Sequence, residues 1–544
     1  MGIIIISSCA SLKNKPKGNI SKAAYYNNSS LFIDAKRAIF QSNFQEAERL
    51  YREVLKNDPA NHAANYELSR LLMEKDINSA IVYGKKAFDL RPDSKWYLLN
   101  LIRLYSYDED YKRASVFAKK LINLFPENIQ NYYRLVNIYL KDSDFNNALK
   151  MYYEIEKKFG FNVKNILRRK DILVNQKEYQ KASKEMEILM EKFPAEKRYY
   201  GISADILMAA GKEDEAVNMY QKILEIDPDD GKVHMVLSSY YYSVGDKQRS
   251  FEEMKKGFKS SHLDVDSKIS VMMNLYKLTK DNPDNKSLQY QADTLLNILY
   301  KVHPNSAKVL AIKGDFLVRN KQWEEALEAY KKVIEIDSSK YLIWEQLILI
   351  TKELKDYKAM QNYTGRALLL FSQYPIVYYF HAQSNYLLGE YLQADASLNL
   401  GLSFVYKPQQ KVEFYTLMGI VRDSLHQYKE AEISFEKALI EKANFGPALK
   451  AYALHFVLVN ENLDKAVAYA KKGLELNHDS EDYIYVYAKV FYAKKMYSEA
   501  MLWTEKGLKI ESDDLSLNHL KGKILWQTGD KEKAQMFLNK KRKD

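Results

Sequence analysis

Fifteen positions along this chain form one column: 47, 80, 114, 148, 182, 216, 250, 292, 326, 360, 394, 431, 466, 500 and 534. Alanine stands at every one except Ser250 and Met360, and the usual interval is 34 residues. A column held over the whole of a 544-residue chain excludes a single globular core, which stops growing at roughly 250–300 residues. It demands an array of similar units, none of which can bury its apolar faces alone. Pro59, Pro92, Pro126, Pro194, Pro228 and Pro304 each lie twelve residues after a member of the column. Such prolines stop a helix, because proline offers no N–H and its ring clashes with the preceding turn. Only 19 glycines and 11 prolines occur, and 47% of the residues are hydrophobic. That composition argues against sandwiches, barrels, nucleotide-binding α/β folds and disorder.

Two further columns accompany the alanines. A ring stands four residues on, at Tyr51, Tyr152, Tyr220, Tyr330 and Phe435; small or aliphatic residues stand seven on, as at Val54, Ala87, Leu121 and Val333. Offsets of four and seven keep these residues on one helix face. Twelve residues before the column, small residues recur at Ala204, Gly314, Ala382, Gly419, Ala488 and Gly522. In period and in these columns the chain resembles the tetratricopeptide repeat family over roughly residues 28–544. The resemblance implies an all-α fold, an α-α superhelix of about fifteen helix-turn-helix repeats. Small residues let the two helices of a unit approach, and the ring is expected to fill the gap to the next unit.

The interval of 42 between Ser250 and Ala292 marks an irregular joint, with its extra residues in 261–285 and a turn at Asp281-Asn282-Pro283-Asp284-Asn285. The array therefore reads as two arms, 28–262 with repeats 1–7 and 263–544 with repeats 8–15. A smaller insertion lies near Phe404–Gln410. The basic end, Lys531 to Asp544, is expected to cap the stack with a polar face.

Residues 1–8 and the only cysteine, Cys9, form a separate feature. Ile3-Ile4-Ile5-Ile6-Ser7-Ser8-Cys9 resembles the end of a bacterial lipoprotein signal peptide. That resemblance implies cleavage before Cys9, lipidation of Cys9, and residues 9–27 as a flexible tether. With Ala10 after the cysteine it implies an outer-membrane anchor, with the array facing the periplasm. A cytoplasmic chain without an anchor is the alternative. No apolar window reaches the ~18 residues of a membrane-spanning helix, and a lone cysteine excludes a disulfide framework.

Nothing in the sequence points to chemistry. No two of the nine histidines are spaced i, i+4, and there is no phosphate-binding glycine loop and no nucleophile elbow. No metal, cofactor, small molecule or catalytic residue is expected, and the chain reads as a non-enzyme. Lys plus Arg exceed Asp plus Glu by 82 − 71 = 11, but the charges are interleaved, so nucleic acid is not expected either.

Partners are expected to be protein or peptide segments, with the membrane reached through Cys9. In the resembled family the first helices line a groove at fixed places of the unit. Carried onto this chain, those places hold Tyr379, Gln383 and Tyr386 in unit eleven, Tyr485, Lys489 and Tyr492 in unit fourteen, and His519, Lys523, Trp526 and Gln527 in unit fifteen. Unit four contributes Tyr133 and Asn137, and unit nine Lys308, Asp315 and Arg319. Rings beside amides and cations suit peptides; they would also suit stacked sugars. The reading is a binding scaffold for an envelope assembly or export complex, with a cytoplasmic adaptor and a carbohydrate-binding envelope protein as alternatives.

Overall fold

The computed structural model describes residues 22–478 and 480–540. Cys9 and the signal-like run before it lie outside the described residues, as do residues 541–544. Among the described residues thirty helices, from Lys22–Phe40 to Lys531–Leu538, follow one another as fifteen hairpins. The chain groups into two compact units, one up to Val233 and one from His234 onward.

Every member of the fifteen-residue column lies on the second helix of its hairpin, and each is buried; Ser250, at 3%, is the most exposed. Alanine is used there because two helix axes meet, and a longer side chain would push them apart. The six prolines also fall in one place, two residues beyond a second helix: Asn57 precedes Pro59, Ile226 precedes Pro228 and Val302 precedes Pro304 in this way. Helix starts are fixed by short polar caps. Asn43, Asp76, Asp144, Asp356 and Asp530, among others, accept a backbone N–H three residues on.

The turn inside the hairpins is equally regular. In twelve of them the residue five before the column is left-handed. Four of these are glycines (Gly211, Gly245, Gly389, Gly529), but Ser42, Glu109, Ser143, Lys177, Lys321, Lys355, His426 and Lys495 do the same with φ near 60°. The chain therefore makes its tight turns with few glycines, at a local cost that packing on both sides offsets. At the joint the extra residues lengthen helices: Val265–Asp281 and Lys286–Val302 each have 17 residues, against 13 and 14 in most repeats. Asn282 and Asn285 cap the two sides of the turn between them.

The ring column departs in part from the expected packing. Tyr330 and Phe435 turn back onto their own hairpin. A Cβ on Gly314 would meet the Tyr330 ring at 2.6 Å, and one on Gly419 would meet Phe435 Cζ at 2.6 Å. Phe435 also stacks on Tyr452 of the next repeat, with ring centroids 5.3 Å apart. One ring thus serves both contacts, because glycine on the first helix leaves room for it.

The surroundings of three histidines disfavour the charged form. Burial lowers the pKa of His62, His303 and His381, and for His303 the neighbouring Lys268, with Nζ 3.0 Å from His303 Nε2, acts in the same direction. A folded-state pKa below the ordinary ~6.5 means that the unfolded chain binds more protons in that window. The stability these residues contribute is present above the ordinary value and is lost as pH falls through their folded-state values. The melting temperature is therefore expected to fall between pH 7.5 and 5.5, measured by circular dichroism, and His381→Gln should flatten part of the fall. A melting temperature that stays level or rises on acidification would refute this.

Candidate functional site

Within the second unit, the first helices of four consecutive repeats, Pro375–Leu387, Pro408–Ser424, Gly446–Val459 and Glu481–Ala493, line a hollow of about 730 Å³. The middle two pack directly against each other, as do the last two. Neighbouring first helices come side by side because each second helix, anchored by its alanine, lies behind them.

The walls are mainly apolar, with Leu387, Leu417, Ile420, Phe445, Leu454 and Leu458. Polar groups, two carboxylates and two lysines among them, interrupt these walls. Lys489 lies within the hollow, and burial lowers its pKa. Among the described residues it makes no ion pair; its ammonium sits 5.5 Å from the centre of the Tyr485 ring. Gln383 Oε1 is buried there without a hydrogen-bond partner among the described residues. The Tyr379 hydroxyl is pushed up to about 12 by burial and, secondarily, by Glu413. Asp423 is held by His455, whose Nδ1 is 2.6 Å from its Oδ1, and Lys450 pairs with Asp482 at 3.0 Å. A half-buried cation without a counterion and an amide oxygen without a donor, set in apolar walls, can together take one carboxylate and one N–H from an apolar ligand.

Of the sequence-expected groove residues, Tyr379, Gln383, Tyr386 and Lys489 come together in this hollow. Tyr485 lies beneath Lys489, half-buried, and Tyr492 is packed against Tyr497 with ring centroids 5.8 Å apart. Lys523 and Trp526 are exposed on the helix Leu515–Gln527, outside the hollow, with the Lys531 ammonium 5.4 Å from the Trp526 ring. Gln527 is exposed beside them, and His519 Nε2 contacts the Lys540 carbonyl oxygen at 3.1 Å. Tyr133 donates to Asn165 Oδ1 at 3.0 Å. In repeat 9, Asp315 accepts from the Tyr330 hydroxyl at 2.5 Å, Arg319 lies over Phe316 and donates to Gln289, and Lys308 pairs with Asp266.

Glu413, Thr416, Ile420, Asp423 and Ser424 also line the hollow and were missed. The signal was present: the offsets that select Tyr379 in unit eleven select these five in unit twelve. Leu454 and Lys450 escape the rule because the interval to the next alanine is 35, which shifts the register by one.

Comparison with known proteins places these features. The family model of the tetratricopeptide repeat matches residues 35–92, and a second model of the same repeat matches 197–230, 307–340 and 515–540. Protein O-mannosyl-transferase TMTC3 of Homo sapiens is 24% identical over 253 residues, 44% of this chain. The chain spans only 27% of that relative's length. Among solved structures, the Cut9–Hcn1 hetero-tetramer of APC/C has 16% identity, covers 86% of this chain and 96% of its own, and gives a TM-score of 0.36. Naa15/Naa10 bound to HypK-THB also has 16% identity, covers 95% of this chain and 96% of its own, and gives 0.35. MamA has 22% identity, covers 30% of this chain and 94% of its own, and gives 0.28.

Among the described residues no helix is long and apolar enough to cross a membrane. Hairpins that stack through alanine columns and leave their first helices free make a scaffold suited to holding other proteins. With the repeat matched at four places along the chain, and the same buried column in all fifteen hairpins, this chain is a tetratricopeptide-repeat protein.

Proposed function

We propose that the protein acts by binding alone, as a scaffold that holds an apolar, carboxylate-bearing segment of a partner protein in the hollow of its second unit. The observation that carries this reading is Lys489, a half-buried ammonium beside apolar walls that makes no ion pair among the described residues. Such a group costs stability when left alone, and a bound carboxylate offsets that cost. A preformed hollow adds little ordering cost on the scaffold's side.

The same reading takes residues 1–8 as a signal-peptide remnant, Cys9 as the lipidated residue and 9–27 as the tether. Residues 28–262 and 263–544 are then two arms held at a bacterial outer membrane, facing the periplasm, within an envelope or export assembly. Its support is the position of the sole cysteine directly after Ile6-Ser7-Ser8. Several acyl chains on one residue anchor firmly, where one binds reversibly.

Photo-crosslinking tests the hollow. A benzophenone amino acid at Ile420 should give a discrete protein adduct, lost in Lys489→Met, whereas the same probe at Leu369, which is 85% exposed and outside the hollow, should not. Lys489→Met should leave the melting temperature unchanged or higher, since it removes a buried charge. Equal adducts at both probes, or adducts indifferent to Lys489→Met, would refute the site. For the anchor, Cys9→Ala should move the protein from the membrane to the soluble fraction; a wild type and a Cys9→Ala variant that are both soluble would favour the cytoplasmic adaptor.

A further inference from the structure

The first unit holds a hollow of different chemistry. It is lined from the first helices of repeats 2, 3 and 4, His62–Leu72, Lys95–Tyr107 and Ile129–Lys141, and measures about 660 Å³. Arg70, Arg103, Arg134 and Lys141 line it, and no carboxylate does. Arg70 is engaged by Glu67 at 3.3 Å. Arg103 is steered by neutral groups: it donates to Asn100 Oδ1 at 3.2 Å, while Asn100 Nδ2 donates to Ser69 Oγ at 2.6 Å. Arg134 and Lys141 make no ion pair among the described residues. Three cations on the first helices of two successive repeats, with no acid among the lining residues, form a positive well.

Beside the cations stands Trp96, 65% exposed, with Leu99 next to it on the same helix. We propose that this face is a second binding site, specific for an internal acidic peptide segment. Its Asp or Glu side chains meet Arg103, Arg134 and Lys141, and its apolar side chains lie on Trp96 and Leu99. The guanidinium fork matches a carboxylate through two parallel N–H donors, and the exposed amide of Asn137 can fix the peptide backbone.

A single-stranded nucleic acid fits less well, since it needs successive rings on which to stack its bases. Of the two rings here, Tyr66 is already covered, by Arg70 at 5.5 Å and by Tyr97 at 5.0 Å. Acids also stand on both sides of the hollow. In the next repeat Asp171 pairs with Lys170, and Glu67 flanks Arg70 on the other side.

The test is fluorescence anisotropy with the full chain and a labelled peptide of about twelve residues, alternating Glu with Leu or Tyr, its C-terminus amidated so that only side-chain carboxylates contribute. Its Gln counterpart, an oligothymidylate of the same length and a heparin fragment are the other probes. The Glu peptide should bind at least about tenfold more tightly than the Gln peptide and weaken as salt is raised from about 50 to 200 mM. In a Lys489→Met background, which silences the hollow of the second unit, Arg103→Gln with Arg134→Gln should remove that difference and Trp96→Ala should weaken both peptides. The arginines are exposed, so these variants should keep the wild-type melting temperature. Equal binding of the Glu and Gln peptides would overturn the proposal. So would tighter binding of the oligothymidylate or heparin, or a Glu preference that survives the double arginine variant.

Discussion

Arg169→Ala is expected to destabilise the first unit by about 3–5 kcal/mol, the range for a buried ion pair broken from one side. Arg169 is 1% exposed on the helix Val163–Asn175. Its Nη2 lies 2.6 Å from Glu185 Oε2 on the next helix, and its Nη1 lies 2.5 Å from Glu156 Oε2 on the preceding repeat. Tyr153, whose ring lies under the guanidinium at 4.4 Å, donates to the other oxygen of Glu185 at 2.5 Å. One cation therefore ties three helices together, and its removal strands Glu185, only 4% exposed, without a counter-charge. Urea titration followed by circular dichroism should show an early partial transition, with hydrogen exchange accelerated around residues 145–192. The double change Arg169→Met with Glu185→Leu should recover most of the loss, because an apolar pair of similar size needs no compensation. A single variant with an unshifted midpoint would refute this account.

Gly419→Ala is expected to cost about 3 kcal/mol, at the upper end for overpacking. The added methyl would meet three atoms of the Phe435 ring closer than any relaxed contact, and Phe435 is fully buried. The ring cannot swing away, since Tyr452 stacks on its other side at 5.3 Å. Gly365→Ala is the control: it sits in a helix of the same unit, and its nearest neighbour would be His381 at 3.8 Å, so helix propensity alone should make it neutral or slightly stabilising. If both variants melt together, the close approach of ring and glycine does not limit the packing.

Helix positions and inner faces could be read without coordinates because both are properties of local spacing. An alanine that recurs every 34 residues, a ring four later and a proline twelve later report which side of each helix must be covered and where it must stop. The left-handed turns were harder to see. Lys177, Lys321 and Lys355 adopt a conformation that favours glycine, and no local rule singles out those lysines from dozens of others. Arg169 was invisible for a related reason: its partners lie 13 and 16 residues away, on two different helices, and a charged residue on a helix reads as solvated unless its neighbours are known.

The groove residues divide along the same line. The family register pointed to Tyr379, Gln383, Tyr386 and Lys489, and those four share one hollow. It also pointed to Asp315 and Tyr133, whose polar groups are spent on Tyr330 and Asn165. Register says which way a residue faces, and only the packed neighbours say whether its hydrogen-bonding groups are already used.

The sequence by itself determined that this chain is a run of helical hairpins, where six of the second helices stop, and which residues their inner faces share, since all three follow from periodicity along one chain. The tertiary structure alone decided which cations keep a partner. Among the described residues Lys489 and Arg134 stand without one while Arg169 has two, because an ion pair depends on distances between helices that no interval in the sequence encodes.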